Sequence, residues 1–115
     1  MTQVSKYPIS KTVYERILEV FFKVFMRINT KTEAEEFIKD FLTPTEQIML
    51  AKRLAIAFLL EKNYDFRTIG RILRVSLTTI ARVNLMRKYG DQGYQRMIGK
   101  LLQEEKVKDF FTGFF

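Results

Sequence analysis

The sequence contains no cysteine and no histidine. Without cysteine there is no disulfide, no thiolate nucleophile and no Cys-based zinc site. Without histidine, the usual general base and the commonest transition-metal ligand are missing. No paired carboxylates, nucleophile–base pair or phosphate-cradling glycine loop stands out either, so neither an enzymatic step nor a cofactor or metal is expected. Long hydrophobic runs are absent too. The longest fully apolar stretch is Leu54–Leu60, far short of the ~20 residues of a bilayer span. The N-terminal MTQVSKYPIS lacks a hydrophobic signal core, so the expectation is a cytoplasmic protein with no membrane partner.

What the chain does have is positive charge and aromatic bulk. Lys and Arg number 20 against 13 Asp and Glu, giving a net charge of +7. Polyanions are the natural partners: nucleic acid first, an anionic membrane surface second. Eleven Phe and five Tyr in 115 residues are more than a small monomer readily hides. A dimer interface is a natural place for the surplus. The length suits one domain over residues 1–115, or one subunit of an interlocked dimer.

The periodicity is helical throughout. Residues 1–10 read as loosely ordered, with Pro8 and Ser10 ahead of a helix over Lys11–Ile28. Its apolar face is Val13, Ile17, Val20, Phe21, Val24, Phe25 and Ile28. Thr30 and Glu33 form a capping box that opens a second helix over Lys31–Phe41, an acidic segment expected to face away from a polyanion. Thr43-Pro44-Thr45-Glu46 opens a third helix, about Pro44–Glu61. Asp65 is placed to cap a fourth. A last helix is read over Gly93–Lys108, followed by DFFTGFF. No strand-like alternation, internal repeat or low-complexity linker interrupts the pattern, so the fold class is all-α with about six helices.

Phe66–Val83, FRTIGRILRVSLTTIARV, carries the most information. Apolar residues fall at Ile69, Leu73, Val75, Ile80 and Val83, and small Gly70 sits where two helices must approach. Ser76 is placed to cap the second helix, expected from Leu77 to about Tyr89 and ending at Gly90. This is the spelling of a helix-turn-helix. Within Phe66–Gly90 lie six basic residues, Arg67, Arg71, Arg74, Arg82, Arg87 and Lys88, and no acidic one. Pattern and charge are independent signals, and both point to double-stranded DNA. On the second helix Leu77, Thr78, Ala81 and Arg82 should face outward, with Thr79 at the edge and Ser76 mainly a cap. Threonine hydroxyls can bond bases or phosphates, and Leu77 or Ala81 can meet a thymine methyl. Arg67 can reach a guanine edge or a phosphate. Arg71, Arg74, Arg87 and Lys88 suit phosphate contacts, which position without reading sequence. Arg74 occupies the turn position where such motifs usually carry glycine. Either the backbone there is left-handed, at a cost of ~1–2 kcal/mol, or the turn differs.

The segments FLTPTEQIMLAKRLAIAFLL (41–60) and SLTTIARVN (76–84) resemble the Trp repressor superfamily. RVNLMRKYGDQGY (82–94) is similar to its YerC/YecD branch, where R-V-N followed by Y-G-x-x-G-Y is typical. The likeness spans about Phe37–Met97 and omits the first helix and the tail. It implies an intertwined homodimer, two helix-turn-helix heads reaching successive major grooves, and a DNA-binding transcriptional regulator, a repressor in its best-known form. Thr43, Arg53 and Arg82 match positions that surround tryptophan in the repressor itself. Val83 stands where the family has a glycine beside the indole, and its branched side chain should fill that space. No tryptophan corepressor is therefore expected.

Two other uses fit the composition. A basic helix-turn-helix face also suits RNA or an acidic protein, because fold does not dictate function. The basic then aromatic tail Lys106–Phe115 suits a membrane surface, although packing of Phe110, Phe111, Phe114 and Phe115 on the first helix or on a partner subunit is the stronger expectation.

Overall fold

Six helices follow one another in the computed structural model, which describes residues 8–104 and 110–114. They are α1 (Lys11–Met26), α2 (Lys31–Phe41), α3 (Pro44–Glu61), α4 (Phe66–Leu73), α5 (Leu77–Tyr89) and α6 (Gly93–Leu102), with a 3-10 turn at Thr112–Phe114. Among the described residues there is no strand.

Polar side chains decide where four of the helices begin. Ser10 Oγ accepts the Val13 N–H at 3.2 Å, and Thr30 Oγ1 accepts that of Glu33 at 3.1 Å. Asp65 takes the Thr68 N–H at 2.7 Å, and Ser76 takes that of Thr79 at 3.1 Å. Each satisfies a donor the helix cannot satisfy itself, and such a cap contributes about 1 kcal/mol. The Thr30 box closes one residue earlier than expected, because Glu33 Oε1 accepts the backbone N–H of Asn29 at 3.2 Å. At α3 proline occupies the first helical position, where no N–H is needed.

The helix ends were less legible. α1 stops at Met26, because Arg27 and Ile28 donate to Val24 and Phe25, a tightened last turn. α6 stops at Leu102 rather than Lys108. Gln103 and Glu104 donate to carbonyls three residues back, and residues 105–109 lie outside those described. Gly90 is not left-handed but extended, with φ −83° and ψ −157°. Space explains the glycine instead: a Cβ there would stand 2.6 Å from the Met86 carbonyl oxygen. The positive φ in this linker belongs to Gln92, at 67°.

The chain divides into two compact units, residues 1–43 and 44–115. In the first, a ring cluster joins Phe21, Phe25, Phe37 and Phe41, with Phe37 and Phe41 stacked at 5.1 Å. Yet neither α1 nor α2 buries a single residue. Val13, Ile17 and Val20 remain 51–62% exposed along the face the periodicity marked as inward.

The second unit has a conventional core. Five consecutive residues of α3, Ile56 to Leu60, are buried. A helix buried on every side must be covered all round, and α3 is packed by α4, α5 and α6. Ile69, Ile80, Val83 and Ile98 complete the cluster. Each such side chain contributes roughly 1.5–3 kcal/mol by leaving water. Upstream on the same helix, Ile48 and Leu54 are 57% and 55% exposed, so the apolar pattern of α3 continues well beyond its own core. In the tail, Phe111 rests on Phe58 of α3 at a ring distance of 5.9 Å, a seat other than the first helix or partner expected from sequence. Phe110 and Phe114 stay exposed, and Phe115 lies outside the described residues. No helix among the described residues is long and apolar enough to cross a membrane.

Candidate nucleic-acid interface

The α4–α5 pair is held from inside by Ile69, Ile80 and Val83, all buried, with Leu73 and Val75 half-buried beside them. Gly70 permits the close approach. A Cβ at that position would lie 3.2 Å from the Val75 carbonyl oxygen and 3.7 Å from Ile80 Cδ1. The two helices can therefore touch at their junction, which holds the angle between them.

Arg74 is left-handed, at φ 56° and ψ 53°. Its N–H returns to the Gly70 carbonyl, and Val75 donates to the same oxygen at 3.3 Å. The junction thus uses the left-handed helix ending usually given to glycine. Replacing Arg74 by glycine should stabilise the fold by about 0.5–1 kcal/mol, the left-handed penalty less the entropy glycine loses. Urea unfolding of Arg74→Gly checks this. A loss of stability would show that the arginine side chain itself supports the turn.

On the outer face, Leu77, Thr78 and Arg82 are exposed, as is Lys88 near the C-terminal end of α5. Ala81, expected to face out fully, is half-buried. Thr79 is exposed, but its hydroxyl lies 2.9 Å from Ser76 Oγ, so both belong to the cap. Arg67 and Arg71 are exposed on α4.

Arg87 is a correction. It was expected to meet phosphate, but its Nη1 lies 2.6 Å from Glu61 Oε1 and its Nη2 2.9 Å from Asn84 Oδ1. The two ion-paired side chains are only 14% and 24% exposed. Arg87 is a strut between the end of α3 and α5, and its carbonyl accepts from Gln95 Nε2 at 3.1 Å. Glu61 and Arg87 lie too far apart in sequence for helical spacing to reveal the pair. Arg87→Ala should lower the melting temperature while leaving unchanged the salt dependence of any nucleic-acid binding. A reduced salt dependence would restore the phosphate role.

Asp65 caps α4, the bracing helix of the pair. Its carboxylate is held below the usual aspartate range by the Thr68 backbone N–H, then by the Thr68 hydroxyl and the Arg67 and Arg71 guanidinium groups. A lowered folded pKa means the cap stabilises the fold above the unfolded value and is lost as pH falls through the folded one. Acid titration should therefore loosen α4 only below the ordinary aspartate pKa, and Asp65→Asn should flatten that response.

A short bracing helix, a tight turn and an exposed basic helix define a helix-turn-helix protein. Residues 16–102 match the Trp repressor protein family, and the chain belongs to that family. Among solved structures, it is similar to a TrpR-like protein from Eubacterium eligens ATCC 27750, at 27% identity and a TM-score of 0.73. That likeness covers 80% of this chain and 95% of the other. No curated protein matches.

Proposed function

We propose that this chain is a homodimeric helix-turn-helix regulator of transcription, a repressor of the YerC/YecD-like branch, that binds double-stranded DNA in the cytoplasm. In this reading residues 1–115 work as one domain completed by a twin subunit. The observation that carries it is the outward set of α5. Leu77, Thr78 and Arg82 are free to enter a major groove while Ile80 and Val83 anchor the same helix from behind. Arg71, Arg74 and Lys88 supply phosphate contacts around it, Arg67 meets a guanine edge or a phosphate, and Ser76, Thr79 and Ala81 sit at its margin.

Dimerisation is supported by the exposed apolar face of α1 and by Leu54 and Met97, 55% and 63% exposed on α3 and α6. A lone subunit would present these patches to water. Val83, 3% exposed, belongs to the core, which supports action without a tryptophan corepressor. Equilibrium dialysis showing saturable micromolar L-tryptophan binding would overturn that part.

Selection of bound duplexes from a random pool, followed by sequencing, tests the main reading. The expected outcome is a two-fold symmetric site whose binding weakens steeply with salt. Structured RNA added as competitor should not displace the selected duplex. Preferential binding of that RNA would overturn the assignment.

A further inference from the structure

We propose that Lys52, on α3 and outside the helix-turn-helix, joins Arg74 in gripping one backbone phosphate of the DNA at the α4–α5 turn. The inference rests on the DNA-binding reading above and adds a residue from a third helix to that interface.

Lys52 Nζ donates to the Arg74 carbonyl oxygen at 3.4 Å, across 22 positions of sequence. An ammonium has three donors, and this bond uses one. The Lys52 side chain thus ends at the left-handed residue of the turn, beside an exposed arginine. The ion pairs of the described residues engage Lys23, Lys31 and Arg87. Neither Lys52 nor Arg74 is neutralised in this way. The Lys52 ammonium therefore sits at the backbone of an exposed arginine, neither cation has a carboxylate partner among the described residues, and a phosphate oxygen at this turn is a ligand within the chemistry of both.

The strain at Arg74 agrees with this. A left-handed non-glycine residue is costly, and such strain is kept where a side chain has work to do. Glycine would suit the backbone but would remove the guanidinium. Arg71, one turn earlier on α4 and also exposed, extends the same positive edge. Phosphate contacts made from outside the reading helix set its depth and register in the groove. A clamp tied to α3, the most deeply buried helix of the unit, would place them on a rigid base.

The test is duplex binding as a function of salt for the full-length parent, Lys52→Gln, Lys52→Arg, Arg74→Gln and the double variant Lys52→Gln/Arg74→Gln. Lys52→Gln removes the charge, Lys52→Arg keeps both charge and donor, and urea unfolding checks that the fold is kept. Lys52→Gln should reduce the slope of log K against log salt by about 0.9 per subunit, an eightfold weaker binding at about 0.1 M salt that vanishes near 1 M. Lys52→Arg should keep the parental slope. The double variant should lose less than the product of the single losses, because both cations serve one phosphate. A loss equal at all salt concentrations would mean that Lys52 only buttresses the turn, and the assignment fails. An unchanged affinity defeats it as well. Failure of the parent to bind any duplex would defeat the DNA-binding reading itself, a result distinct from a parent that binds with a Lys52-independent slope.

Discussion

Replacing Arg82 by alanine should weaken binding to the selected duplex by about tenfold to a hundredfold per half-site, with the folded state unchanged. An arginine that meets a guanine edge with two hydrogen bonds contributes about 1–3 kcal/mol of discrimination. Arg82 is exposed on α5 and has no ion pair among the described residues, so its removal opens no cavity and strands no partner. Thr78→Ala, on the same exposed face, should cost less, because a hydroxyl makes one neutral contact. The two variants differ from the Lys52 series in kind. Loss of a base contact changes which sequences are preferred, whereas loss of a phosphate contact weakens all duplexes alike. Fluorescence anisotropy with the selected site and with a single-position variant measures both. Parental affinity in both Arg82→Ala and Thr78→Ala would show that the outer face of α5 is not the reading surface.

The second large effect lies two residues before Arg82 and acts through the core. Ile80 is fully buried, and its Cδ1 lies near the place a Gly70 Cβ would occupy. Ile80→Ala should lower the unfolding free energy by about 2–5 kcal/mol, from lost transfer energy plus the cavity left behind. Because α4 and α5 meet over this side chain, the bracing of the second helix should fail together with the fold. DNA binding should then fall in step with the folded fraction measured by urea titration. Ile80→Val, which removes one methylene, should cost about 0.5–1.5 kcal/mol and leave affinity nearly intact. Stability close to the parent in Ile80→Ala would mean that the junction collapses to fill the space, and that the α4–α5 angle is set elsewhere.

Most helix starts could be read from residues because a cap is a local event. Ser10, Thr30, Asp65 and Ser76 each bond an N–H three residues on. Ends are harder, since the last carbonyls can be satisfied by tightened turns, by linkers or by distant groups. That is why helical spacing carries α6 on to Lys108 whereas the structure ends it at Leu102. Spacing alone puts Thr78 and Arg82 outward and Ile80 and Val83 inward, as the structure has them, but it does not reveal that Ala81 is half-buried. Arg87 has the same charge and belongs to the same helix. Its opposite fate depends on Glu61, which only chain folding brings to 2.6 Å.

The one-dimensional pattern was sufficient for an all-helical chain, the order and starts of its elements, and the buried and open sides of its basic head. Those properties come from hydrogen bonds and periodicities that span a few residues. Folding in three dimensions decided which cations are free and which are spent, that the turn at Arg74 is left-handed, and that Lys52 reaches it from another helix. Such choices depend on side chains distant in sequence but adjacent in space, and no local spacing encodes that adjacency.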